Sequence, residues 1–176
     1  PDKFSRLDRD IKTDVLIIGG GIAGILTAYR LHHMGVKYVL VEKERICNAT
    51  TCNTTAKITC QHGFVYHKLL KSLGVEGAKM YLQANKAALK EYSRLCKNIE
   101  CNYEPKDNYV YSCDERKLEK ELAAVEVIGA DAQLCRRLPI PVNYAGAIKF
   151  SNQAQFNPIK FIKAISKGLN IYENTF

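Results

Sequence analysis

The sequence predicts an α/β fold in which a parallel β-α-β sheet occupies the two ends of the chain and an α+β segment is inserted between them. Three observations carry this reading. Residues 15–42 run from an apolar strand through G-G-G-I-A-G into a helix and then a second apolar strand that ends at Glu42. The middle of the chain switches between helical and strand periodicities. Residues 158–174 return to a helix followed by an apolar strand.

The first element is a strand over residues 14–18, which delivers the chain to a tight turn. Gly19 permits the turn, Gly21 lets the backbone approach a pyrophosphate, and Gly24 lets the following helix pack close to the strand. Gly20, Ile22 and Ala23 complete the turn and the first helical residues, where N–H groups and a partial positive charge favour phosphate. Ile22, Ile25, Leu26 and Tyr29 recur at helical spacing, so the helix is placed over Ile22–Met34 with Gly35 as its stop. Val36–Val41 forms the second strand, parallel to the first through a right-handed crossover. Glu42 at its end is placed to accept hydrogen bonds from an adenosine ribose. Strand, turn, helix, strand and acid together predict dinucleotide binding. A glycine-rich turn with no ligand is the alternative.

Residues 44–63 form a long polar segment with threonines at 50, 51, 54 and 55. Such loops inside compact domains are often functional. Helical spacing follows over residues 75–97, a strand over 109–112, and a helix over 114–128 that starts at Asp114 as N-cap. Strands are expected at 132–135 and around 147–150. Pro158 opens a helix closed by Gly168, and residues 169–174 supply a third strand of the parallel sheet. Two or three parallel strands are few for a doubly wound domain. The expectation is an N-terminal fragment of a longer protein, with the C-terminal part of the fold missing.

Composition excludes several classes. With 47% hydrophobic and 25% charged residues, the 176-residue chain is globular in type, and no apolar run reaches the length of a membrane span. Basic residues before Val15 mimic a signal peptide, but Asp2, Asp8, Asp10 and Asp14 argue against one, and a cytoplasmic location is expected. The net charge of +8 is spread over scattered lysines without interleaved aromatics, which argues against nucleic acid as a partner. Seven cysteines without any C-x-x-C fit reduced thiols, and the spacing of Cys47, Cys52 and Cys60 matches no common iron–sulfur pattern, so no metal site is expected.

The glycine motif, the T-T-A-K-I-T-C-Q-H-G stretch from Thr54 to Gly63 and the A-Q-F-N-P stretch at 154–158 together resemble the D-amino-acid-oxidase-like flavoproteins. That family includes glycine oxidase, sarcosine oxidase and dimethylglycine dehydrogenase. The likeness points to a bacterial branch whose members often carry a C-terminal Rieske domain. It implies an FAD-dependent oxidoreductase acting on a C–N bond of a small amine or amino acid. It also implies a Rossmann-like FAD-binding domain from residues 1–63 and 166–176, and an inserted substrate domain over 64–165. The pyrophosphate would lie at Gly19 to Gly24 and the ribose on Glu42. Lys43 would flank the adenine, Thr50 and Thr51 would help hold the pyrophosphate, and Thr54, Thr55, Ala56 and Lys57 would run beside the flavin ring. Some amine dehydrogenases of this group attach flavin through a histidine. Asn53 stands at that position, so the resemblance implies noncovalent FAD. The family completes its FAD domain with later strands, so the fragment alone is expected to hold the cofactor weakly or not at all.

Flavin amine oxidation needs no dedicated acid–base pair, because the cofactor carries the difficult chemistry. Lys57 and His62 are the catalytic candidates. A cation at Lys57 would stabilise negative charge on reduced flavin, and a neutral His62 could orient substrate or accept a proton. The alternatives are an exposed lysine and a structural histidine. His32, His33 and His67 read as surface residues, and Tyr109 and Tyr111 as core or pocket wall. Rival functions are a nicotinamide dehydrogenase on the same fold, or a non-catalytic nucleotide-binding or docking module.

Overall fold

The computed structural model describes residues 4–48, 54–138 and 141–176. In chain order the elements are β1 (Val15–Ile18), α1 (Ile22–His33), β2 (Tyr38–Val41), β3 (Lys57–Ile58), α2 (Tyr66–Cys96), β4 (Glu104–Ser112), α3 (Glu115–Val127), β5 (Ala132–Cys135), β6 (Gly146–Gln155), α4 (Pro158–Ile165) and β7 (Ile171–Tyr172). They fall into two compact units. One comprises Pro1–Ala56, Asn98–Cys101 and Asn157–Phe176, and the other Lys57–Lys97 and Asn102–Phe156.

The first unit is a parallel sheet in the order β1-β2-β7. Val15 faces Tyr38, Ile18 faces Val41, and Leu40 faces Ile171. The third parallel strand therefore returns to the sheet as the periodicity at the end of the chain predicts. Helix α1 packs on β1, β2 and α4. Ile25 and Ala28 of α1 and Phe161, Ile162 and Ile165 of α4 are buried together with Ile17, Leu40 and Ile171. Each fully buried aliphatic or aromatic side chain contributes about 1.5–3 kcal/mol, so this core holds both helices to the sheet. The start of α4 is local in origin: the Asn157 side chain accepts the Lys160 N–H at 3.0 Å, and Pro158 occupies the first turn.

The second unit is an antiparallel sheet in the order β3-β6-β4, with β5 also pairing with β6. Leu118, Ala124 and Val125 of α3 join Tyr66 and Leu82 of α2 and Ile148 and Phe150 of β6 in one buried cluster. The Tyr66 and Phe150 rings stack with centroids 6.0 Å apart. Glu121 of α3 is fully buried, and its two carboxylate oxygens accept the Tyr66 and His67 N–H groups at 2.9 and 2.8 Å. This caps α2 from a distance, since its own N-cap, Val65, has no side-chain acceptor.

The structure extends several sequence expectations. Helix α2 starts at Tyr66, not near residue 75, and Gly74 (φ 70°, ψ −175°) breaks it where the periodicity begins. That conformation is open to glycine and costly for other residues. Strand β4 starts at Glu104 because its polar first half, without apolar alternation, is carried by pairing with β6. The segment read as a continuous polar loop contains the short β3, paired with β6 through Lys57–Gln155 and Ile58–Ala154. Asp114 is the N-cap of α3 as expected, accepting the Arg116 N–H at 3.0 Å. Among the described residues no helix is long and apolar enough to cross a membrane. Replacing Glu121 with alanine should strip two buried N–H groups of their acceptor and destabilise the protein by about 2 kcal/mol or more. A shift in the urea midpoint checks this, and an unchanged midpoint would show that the cap contributes nothing.

Candidate functional site

The turn between β1 and α1 is built from backbone. Gly19 has φ 106°, and no atom lies within 4 Å of the place a side chain would occupy, so the turn opens onto free space. Gly24 is the opposite case. A Cβ there would stand 2.0 Å from the Gly19 carbonyl oxygen, so α1 approaches the turn more closely than any other residue permits. Gly20 is crowded as well, with Ile46 Cγ2 2.7 Å from its would-be Cβ.

Helix α1 begins at Gly21, which gives it no side-chain cap, and its first turn carries no acid. The positive end of the helix dipole therefore has no acid of its own helix beside it, a setting that suits an anion. At the other end Arg30, His32 and His33 lie in the last turn, where cations suit the dipole. Both histidines are exposed, and His33 Nδ1 lies 2.8 Å from the Tyr29 carbonyl oxygen.

Glu42 is brought directly to the turn. Its carboxylate accepts the Gly20 N–H at 2.7 Å and the Glu44 N–H at 2.9 Å. A carboxylate has about four acceptor positions, so roughly two remain for ribose hydroxyls. Lys43 and Glu42 stand at the end of an open apolar cleft of about 660 Å³, floored by Leu16, Ile18, Val39 and Val41. Leu16 and Ile18 are 56% and 81% exposed there.

The remaining predicted residues fall in three groups. Thr50, Thr51 and Asn53 lie outside the described residues. Thr54 and Thr55 are exposed, and Ala56 takes a left-handed φ of 59° with its N–H 3.4 Å from Thr54 Oγ1. Lys57 and His62 belong to the second unit. Lys57 is exposed at the start of β3, in a row with Gln155 and Glu104 across the sheet. His62 is exposed, and its Nδ1 lies 2.9 Å from the Tyr81 hydroxyl.

Sequence reasoning missed two neighbours in that stretch. Cys60 is buried, and burial pushes its thiol up against a smaller opposing effect of the Lys86 charge. It is a poor nucleophile at neutral pH. Gln61 is also buried. Its Oε1 accepts from Asn108 Nδ2 at 2.8 Å, while its Nε2 has no partner among the described residues. An unmet amide of this kind costs about 1–3 kcal/mol. No spacing rule marks either residue.

Comparison with known proteins places the chain in a family. The model of the family described as "DAO: FAD dependent oxidoreductase" matches residues 14–175. The chain belongs to this family of FAD-dependent oxidoreductases. It is 37% identical over 182 residues to YhfW of Bacillus subtilis, named as a Rieske 2Fe-2S iron-sulfur protein, covering 98% of this chain and 36% of that relative. In fold it is similar to L-proline dehydrogenase from P. horikoshii (TM-score 0.74, 15% identity, 93% of this chain and 44% of that one). It is likewise similar to glycine oxidase from Geobacillus kaustophilus (TM-score 0.69, 20% identity, 92% of this chain and 46% of that one). The chain thus spans about a third of YhfW and under half of either enzyme.

The turn geometry fits the family's cofactor: open space at Gly19, close packing at Gly24, a glycine N-cap with no acid in the first helical turn, and an acid on the turn. Gly24→Ala should drive a methyl into the Gly19 carbonyl and destabilise the protein by about 1–3 kcal/mol, with loss of flavin binding. Thermal melting and flavin titration check this. Wild-type values for both would show that the close approach does not matter.

Proposed function

We propose that the glycine turn and Glu42 hold the ADP part of noncovalent FAD in a protein that oxidises a C–N bond of an amine or amino acid. The observation that carries the reading is a glycine N-cap and an acid-free first turn of α1 beside a turn whose Gly20 amide already holds Glu42 at 2.7 Å. Backbone amides there receive the pyrophosphate, and the remaining lone pairs of Glu42 receive the ribose. The family match over residues 14–175 favours FAD over a nicotinamide dinucleotide. The names of the proline dehydrogenase and glycine oxidase relatives support an amine or amino-acid substrate. When bound, the flavin supplies the hydride-accepting ring.

In this reading the first unit is the FAD-binding domain and the second is part of the substrate domain. Lys57 would supply the cation that favours negative charge on a bound flavin. His62, held by Tyr81, orients substrate. Thr54, Thr55 and Ala56 would line the cofactor through hydroxyls and backbone. The YhfW likeness supports a Rieske centre as a partner in the same polypeptide. The six free cysteines among the described residues support a reducing, cytoplasmic setting.

Two measurements on the whole protein test this. Acid precipitation should leave flavin in the supernatant, whereas flavin retained in the pellet refutes a noncovalent cofactor. Lys57→Met should slow flavin reduction or reoxidation by about tenfold or more while sparing FAD affinity. Unchanged half-reactions in stopped flow would remove Lys57 from the chemistry.

A further inference from the structure

Glu173 lies just beyond β7, far from the glycine motif in sequence, and only 2% of it is exposed. Its Oε1 accepts the Ile46 N–H at 2.8 Å and its Oε2 accepts the Phe4 N–H at 3.2 Å. A carboxylate this deep is tolerated only where charge-assisted hydrogen bonds replace its water. Its principal donor, Ile46, is the residue that packs against Gly20, with Cγ2 2.7 Å from the position of a Gly20 Cβ. The next residue, Cys47, gives its N–H to the Gly20 carbonyl at 3.0 Å. It does so from a left-handed φ of 63°, a conformation that costs a non-glycine residue about 1–3 kcal/mol and persists only when the surroundings hold it.

These contacts reach the cofactor turn through one rigid object. The Gly20 C=O and the Gly21 N–H belong to the same planar trans peptide and point in opposite directions. With the carbonyl drawn to Cys47, the Gly21 amide points away from Cys47, at the N-cap of α1. On the other side the Gly20 N–H is held by Glu42. We infer that Glu173 is a positioning residue for the dinucleotide: by pinning Ile46 it seats Cys47 under Gly20 and thereby aims the Gly21 N–H at the pyrophosphate. Glu173 touches no cofactor atom in this scheme and acts through the 44–47 segment. The inference rests on the FAD reading above, but the aiming of the amide is a property of the ligand-free chain.

Glu173→Gln keeps the side-chain shape but turns an –NH₂ toward one of two N–H donors. In the purified 176-residue chain it should move the Gly21 amide resonance in a ¹⁵N-correlated NMR spectrum and speed hydrogen exchange at Ile46 and Cys47. In the whole protein it should raise the Kd for FAD on the order of tenfold, the size expected for losing a charge-assisted bond. Phe4→Pro removes the other donor, so it should lower the melting temperature while leaving FAD affinity within about twofold. A merely structural Glu173 would make the two variants alike. Should Glu173→Gln not fold, Glu173→Asp retracts the carboxylate while keeping its charge, with the same expected direction. An unmoved Gly21 resonance together with unchanged FAD affinity overturns the inference. If the wild-type whole protein binds no FAD, the functional reading falls, and the Gly21 resonance still decides whether Glu173 positions the turn.

Discussion

The closest constraint in the first unit is the approach of α1 to β1, where the Gly19 carbonyl oxygen stands 2.0 Å from the place of a Gly24 side chain. The turn's proposed role in binding follows from that approach. It lets Ile25 and Ala28 reach full burial against the sheet. It also presents the start of α1 at the carboxyl end of β1, with a glycine at the N-cap and no acid in the first turn. The packing gain of the core thus holds in place a helix end that would prefer an anion. Stability and the proposed binding draw on the same backbone geometry, which has no room for a methyl at residue 24.

Each unit uses one buried carboxylate to tie distant backbone together. Glu121 gathers the start of α2 in the second unit, and Glu173 gathers the N-terminal segment and residue 46 in the first. The chemistry is shared: a carboxylate is an acceptor only, and it meets N–H groups that sheet and helix ladders leave over. The consequences differ. Glu121 serves an amphipathic helix that already has a hydrophobic cluster beneath it. Glu173 serves a short irregular segment, and the neighbouring Cys47 holds a left-handed conformation there while buried in the core.

What was legible in the sequence was local. The β1–α1–β2 unit, the Asp114 cap, β5 and the returning strand at 171–172 all announce themselves within a few residues, by periodicity, cap chemistry or glycine spacing. Glu42 was readable because its distance from the glycines follows from the length of one helix and one strand. The misses are long-range. The polar half of β4 has no alternation to betray it, and β3 is two residues whose pairing comes from β6. Glu173 and Ile46 are separated by 127 positions, and a lone glutamate after a short apolar strand carries no mark of burial. Pairing of that kind exists only once the sheet has formed, because the parallel register of β2 and β7 brings residue 173 beside residues 44–47.

That dependence changes what the glycine motif means. Taken alone, G-x-G-x-x-G describes a loop able to accept a pyrophosphate. In this protein the loop's middle residue, Gly20, is held in both of its flanking peptides, by Glu42 on its N–H and by Cys47 on its carbonyl. Glu42 is itself fastened to the residues after β7, and Cys47 follows a segment, 44–46, that is fastened there too. The Thr175 N–H bonds the Glu42 carbonyl at 3.0 Å, and the Asn174 N–H bonds the Glu44 carbonyl at 3.0 Å. The orientation of the binding amides is therefore set by the last residues of the chain as much as by the glycines. A binding site made from backbone dipoles gains most from such fixing, since a dipole aimed in advance costs no reorganisation when charge arrives.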